Sequence, residues 1–241
     1  MLASVLLFLE RFLLSPIFLY EAWTEVGPIR AELAALEAAG GGHPYTSPGV
    51  VWHLLVLVFN LQVGGFLLLS RKPSAAPRSA KEVLVPLVAN FFNLSNNLIP
   101  FAPEVLARNR LPESWQANLS AAALYLGLIG FGLAIWATAS LGRSFGVLVA
   151  VRPVVTSGPY RYVRHPIYLS YVLQMGAWIA ANGSLLVLGF VATFLALLVW
   201  RARLEEARLA EHSAEYRAYV ERTPFLFPRL GAGRRPSAAD G

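Results

Sequence analysis

The sequence contains no cysteine among its 241 residues, which removes disulfides and thiolate metal ligands from consideration. Its four histidines, His43, His53, His165 and His212, are scattered without the close ligand spacing of a zinc-binding helix, so no metal centre is expected. Charge is scarce as well: 14% of residues are Asp, Glu, Lys or Arg, against 56% hydrophobic and a mean hydropathy of +0.53. That balance excludes an ordinary soluble domain and describes a polytopic membrane protein. No internal repeat stands out. No basic face with interleaved stacking aromatics lies outside the lipid boundary, so the formal charge of +6 does not indicate a nucleic-acid partner. The first charged residues are Glu10 and Arg11. The start therefore lacks the basic region and cleavage site of a secretory signal, and it is expected to remain as a span.

What is present is a series of long apolar runs. A hydrocarbon core of about 30 Å asks for roughly 20 mostly apolar residues per helix. Such runs occupy 2–20, 50–69, 83–101 and 118–139, followed by 167–200. The last contains Ala181-Asn182-Gly183-Ser184, a turn-like break that makes it a tight helical hairpin with arms reaching only roughly 25 Å. The fold class expected is an all-α membrane bundle of about six transmembrane helices, including this C-terminal hairpin. Sixteen of the twenty Lys and Arg residues fall on the side of the termini, which makes that side cytoplasmic. Residues 28–39 open with Pro28 and place Ile29, Leu33 and Leu36 on one face, as in a short outer interfacial helix. The chain divides into N-terminal helices over 1–117, a core over 118–230 and a disordered tail over 231–241.

Several groups of residues stand out against this apolar background. Gly158-Pro159-Tyr160-Arg161-Tyr162-Val163-Arg164-His165-Pro166-Ile167-Tyr168 opens directly into the hairpin. Cations and aromatics at a boundary are ordinary anchoring features. Arg164-His165-Pro166 ahead of a span, however, sets a helix start and leaves its first donors free for a ligand. Beyond the hairpin, Arg201 and Glu205 form an i,i+4 pair of opposite charge, the bland reading of a solvated helix. Glu205 and Glu206 point about 100° apart and cannot serve one face equally. A carboxylate at this boundary would hold an ammonium or sulfonium that a basic pocket repels. Gly127, Gly130 and Gly132 suit close helix packing. Asn90, Asn93, Asn96 and Asn97, with Ser95, put costly amides in one span, either for interhelical hydrogen bonds or as an acceptor-pocket lining.

Leu141-Gly142-Arg143-Ser144-Phe145, the segment 158–168, the hairpin, Glu205-Glu206, Glu215-Tyr216-Arg217-Ala218-Tyr219 and Arg222-Thr223-Pro224-Phe225 together resemble the isoprenylcysteine carboxyl methyltransferase family. The related phospholipid methyltransferases look similar over the same region, 127–229. The resemblance implies an integral membrane enzyme that binds S-adenosylmethionine at the cytoplasmic face and methylates a lipophilic or lipidated acceptor. It assigns Arg164, His165, Pro166, Tyr168, Glu205 and Glu206 to the cofactor site, and Gly130 and Gly132 through similarity to a Gly-x-Gly of the phospholipid branch. The cofactor's carboxylate suits Arg164 or His165, and its ammonium and sulfonium suit carboxylates and the Tyr160 or Tyr168 faces. Arg164 or Arg201 would orient an acidic acceptor. The N-terminal half departs from the family's lipid-protein branch, and a prenylated protein, a small lipid, a quinone or sterol-like alcohol and a phospholipid headgroup all remain open as acceptors.

Two other functions share features with this sequence. An NADPH-dependent membrane sterol reductase is opposed by Glu205-Glu206, which would repel nucleotide phosphates. A non-enzymatic six-span transporter or scaffold is opposed by the absence of two related halves.

Overall fold

The computed structural model describes residues 2–43, 47–94, 113–182 and 184–228. Ser95, Asn96, Asn97, Gly183 and the tail over 231–241 lie outside the described residues, as does the side chain of Asn93. The described chain is all-α, as expected, with one isolated bridge between Ala75 and Val151. The helices are α1 (Leu2–Leu9), α2 (Ser15–Thr24), α3 (Val26–Ala38), α4 (Pro48–Leu68), α5 (Ala80–Leu94), α6 (Glu113–Leu141), α7 (Pro166–Asn182), α8 (Leu185–His212) and α9 (Ala214–Arg222).

A π-helical turn, Glu10–Leu14, joins α1 to α2. Such turns insert an extra residue into the helical register, and here the turn coincides with the burial of Glu10. Pro48 and the Ser47 side chain, which accepts from the Val50 N–H, set the start of α4. Ser184 does the same for α8, accepting from the Leu186 N–H and turning the expected break into a hairpin.

Among the described residues, three helical stretches are long and apolar enough to cross a bilayer: Pro48–Leu68, Ala122–Ser144 and Leu186–His212. The other expected spans coincide with the π-interrupted α1–α2, with α5, where residues 95–101 of the expected span lie outside the described residues, and with α7. At 17 residues α7 falls short of the hydrocarbon thickness. The side chains are distributed as lipid requires. Phe8, Phe12, Trp23, Ile129 and Trp200 are exposed, whereas Ala22, Ala134, Ala137 and Ala202 are buried. Small residues inside let helix backbones approach where lipid supplies no hydrophobic drive for association. The protein is an integral membrane protein.

α7 packs most extensively on α6, α2 on α4, and α5 on α8. The basic loops gather at one end of this bundle. The Arg71 N–H donates to the Arg143 carbonyl at 2.8 Å, Ser74 and Ala75 pair with Val151, and Arg208 reaches the Ala76 carbonyl at 2.7 Å. The candidate site lies at the same end.

Candidate functional site

The segment opening at Gly158 is shaped by backbone requirements. Gly158 has φ +60°, and a Cβ there would lie 2.4 Å from the Ser140 hydroxyl, so only glycine fits. A 3₁₀ turn, Gly158–Arg161, follows, and buried Pro166 starts α7. The N–H groups of Arg164 and His165 donate to the carbonyls of Pro224 (2.9 Å) and Phe225 (3.2 Å). These donors precede a helix and would otherwise lack partners. The chain beyond α9 therefore folds back as a hook against the segment. The Tyr219 hydroxyl fastens the hook by donating to the Tyr160 carbonyl at 2.5 Å.

Glu205 and Glu206, adjacent in sequence, have separate roles. Glu206 faces the segment: its Oε1 accepts from Arg164 Nε at 2.7 Å and lies 3.1 Å from His165 Nε2. Arg164 spends further donors on the carbonyls of Val220 (3.1 Å) and Thr223 (2.6 Å), so it clamps the hook to α8. Glu205 points elsewhere. Its Oε1 accepts from the Tyr168 hydroxyl at 3.0 Å and from Arg201 Nε at 2.9 Å. The His165 and Tyr168 rings stack with centroids 5.0 Å apart, and the Arg201 guanidinium stands 5.7 Å from the Tyr168 centroid.

A cavity of about 170 Å³ opens beside this second cluster. Tyr160, His165, Tyr168, Arg201, Glu205, Tyr216 and Tyr219 line its polar side. Phe18, Val63, Val147 and Ile167 add apolar walls, and Asn90 contributes an amide from α5. Burial pushes the Tyr160 hydroxyl well above its ordinary value, with Glu205 and then Tyr219 adding to the effect. Tyr219 is pushed up to about 12, chiefly by burial and against the lowering by Arg164 and Arg222. These hydroxyls remain protonated donors at neutral pH.

Arg152 also lines the cavity and is held by Glu10. The guanidinium and carboxylate are 2.5 Å apart, and the other Glu10 oxygen accepts from the Leu148 N–H at 2.9 Å. A Cβ on Gly146 would fall 2.2 Å from this guanidinium, so the glycine makes room for it.

The structure thus brings Tyr160, His165, Tyr168, Arg201 and Glu205 to one cavity. Arg164, Pro166 and Glu206 stand behind them, in the hook and the helix start. Gly130 and Gly132 do not line the cavity. Gly130 lies where α6 meets α7, and a Cβ there would sit 3.1 Å from the Ser170 carbonyl; Gly132 is exposed, with open space around it. The Glu10–Arg152 pair was not anticipated from sequence. The available signal was Glu10 itself, since a carboxylate inside an apolar run demands a partner. Among the described residues, no three His, Cys, Asp or Glu side chains gather as metal ligands.

Residues 123–211 match the model of the Isoprenylcysteine carboxyl methyltransferase (ICMT) family. The chain is similar to that family over this stretch, the ICMT segment. The ICMT segment holds His165, Tyr168, Arg201 and both glutamates, whereas Glu10, Phe18, Val63 and Asn90 stand outside it. The chain is 35% identical over 139 residues to the Cobalt-zinc-cadmium resistance protein CzcN of Cupriavidus metallidurans, covering 55% of this chain and 60% of that protein. It is 29% identical over 138 residues to the Nickel-cobalt-cadmium resistance protein NccN of Alcaligenes xylosoxydans xylosoxydans, covering 55% and 61%. With Methanethiol S-methyltransferase 2 of Bradyrhizobium diazoefficiens it shares 32% identity over 135 residues, covering 50% and 52%. The chain therefore spans between 52% and 61% of the length of these three relatives.

Proposed function

We propose that this protein is a membrane methyltransferase that uses S-adenosylmethionine and acts on a lipophilic acceptor at the cytoplasmic membrane face. The observation that carries the reading is the Arg201–Glu205 pair at the cavity wall, inside the ICMT segment. An ion pair complements a zwitterion: Arg201 retains donors for the cofactor's carboxylate, and Glu205 retains an oxygen for its ammonium or sulfonium. Tyr160 and Tyr216 line the same cavity and suit a sulfonium through cation–π attraction. The donor set fits the cofactor. The same carboxylate opposes the phosphates of a nicotinamide nucleotide.

Held between Arg201 and Glu205, S-adenosylmethionine would supply an electrophilic methyl group to the acceptor. The residues of this chain position the two partners and keep water out, which is where such a transfer gains most of its rate. Tyr168 fixes Glu205 from one side while Arg201 fixes it from the other. Arg164 and Glu206 hold the hook over the site rather than contacting a reactant, while His165 lines the cavity beside Tyr168.

The basic loops gathered at the site end support a cytoplasmic site and cytoplasmic termini, because positive charge is retained on that side. The test is calorimetry on the purified full-length protein. S-adenosylhomocysteine should bind and NADPH should not, and labelled methyl should pass from S-adenosylmethionine to a membrane-soluble acceptor. The reverse binding preference would sink the reading.

A further inference from the structure

The geometry points to Asn90 as the residue that recognises the methyl acceptor, and to an uncharged, lipophilic thiol or alcohol as that acceptor. This inference rests on the methyltransferase reading. Asn90 lines the same cavity as His165, Tyr168, Arg201 and Glu205. Among the described residues, its Nδ2 is buried and has no hydrogen-bond partner. A buried amide without a partner is costly, and a bound hydrogen-bonding group would remove that cost. The helix that carries Asn90 is packed in place. Ala89 is buried in the cluster that contains Tyr168 and Ala202, which fixes α5 against α7 and α8.

Charge narrows the acceptor class. Among the described residues, every basic side chain lining the cavity already faces a carboxylate: Arg201 has Glu205, Arg152 has Glu10 and His165 has Glu206. The cofactor's zwitterion matches the first of these pairs. A carboxylate acceptor would add a further negative charge beside Glu205, Glu10 and Glu206 and would have to share their basic partners. An amide, by contrast, carries both a donor and an acceptor, and so does a hydroxyl or thiol. Phe18 and Val63 provide apolar wall for the rest of the molecule. In the transfer, the acceptor's sulfur or oxygen takes the methyl, the cofactor's sulfur keeps the electron pair of the broken bond, and the acceptor's proton passes to Glu205. Asn90 lies outside residues 123–211, so this contact to the acceptor comes from the N-terminal helices.

The experiment uses the full chain in nanodiscs, with 1-hexanethiol and 1-hexanol as neutral probes and N-acetyl-S-farnesylcysteine as the carboxylate probe. A neutral probe should accept labelled methyl and should raise the melting temperature of the S-adenosylhomocysteine complex. Asn90→Leu, and the closer mimic Asn90→Asp, should raise the KM for that probe by about ten-fold and abolish the thermal shift, with S-adenosylhomocysteine affinity unchanged. The proposal is overturned by an unchanged KM and shift, by loss of S-adenosylhomocysteine affinity in both variants, or by transfer to the carboxylate probe or to no probe while S-adenosylhomocysteine binds. Wild-type protein that binds no S-adenosylhomocysteine overturns the methyltransferase reading and this one with it.

Discussion

The guanidinium of Arg152 lies 2.5 Å from the carboxylate of Glu10, a residue 142 positions earlier in the chain. Both side chains are at least nine-tenths buried, at 9% and 1% exposure. The contact ties the N-terminal helix to the loop that walls the cavity. Removing one member leaves a charge stranded, so Glu10→Ala should destabilise the protein by about 3–5 kcal/mol. Replacing both together, as Glu10→Leu with Arg152→Met, should cost much less. Thermal unfolding in detergent, followed by size-exclusion chromatography, measures both. Equal losses in the single and double variants would mean that the pair is not the cause.

The two adjacent glutamates should separate in experiment. Glu205→Gln removes the charge facing the cavity and should weaken S-adenosylhomocysteine about ten-fold, or about 1.4 kcal/mol. Glu206→Gln should change that affinity less but loosen the hook, giving faster proteolysis around residues 213–225. Calorimetry and limited proteolysis on the two variants provide the comparison. A larger affinity loss from Glu206→Gln would reverse the assignment.

Alkaline pH should release the hook. Tyr219 titrates near 10.0 when free and is pushed up to about 12 in the fold. The folded state holds its proton more tightly, so the contribution is fully present below pH 10 and is lost as pH rises through about 12. Phenolate absorbance at 295 nm, followed alongside protease sensitivity of the C-terminal segment, should change in this window. Tyr219→Phe should make the segment protease-sensitive already at neutral pH. A Tyr219→Phe protein as resistant as wild type would show that the hydroxyl does not hold the hook.

Gly130 and Gly132 discriminate helix packing from cofactor contact. A methyl at Gly130 would press on Gln174 Cγ at 2.9 Å and on the Ser170 carbonyl at 3.1 Å. Gly130→Ala should therefore cost about 1–3 kcal/mol by parting α6 from α7. Gly132 faces open space, and Gly132→Ala should be neutral or stabilise the helix by up to about 1 kcal/mol. Melting temperatures test the first expectation. If S-adenosylhomocysteine affinity falls in the Gly132→Ala protein, that glycine belongs to the cofactor site after all.

Composition and local order by themselves determined a good deal. Long apolar runs with few charges dictate a membrane protein, because lipid leaves the backbone no partner but its own helix. Ser184 after an apolar arm dictates a hairpin, and Gly158 through Tyr168 with the Glu205-Glu206 pair marks the site. Tertiary structure alone decided which of these groups meet. In lipid the outside of a helix is as apolar as its inside, so α4 carries no polar stripe to mark its buried face. Adjacent glutamates also look alike in sequence. Only the return of α9 and the hook against Arg164 turns Glu206 away from the cavity and leaves Glu205 facing it. Glu10 finding Arg152, and Asn90 reaching the cavity, depend on contacts between segments separated by dozens of residues, which no local pattern encodes.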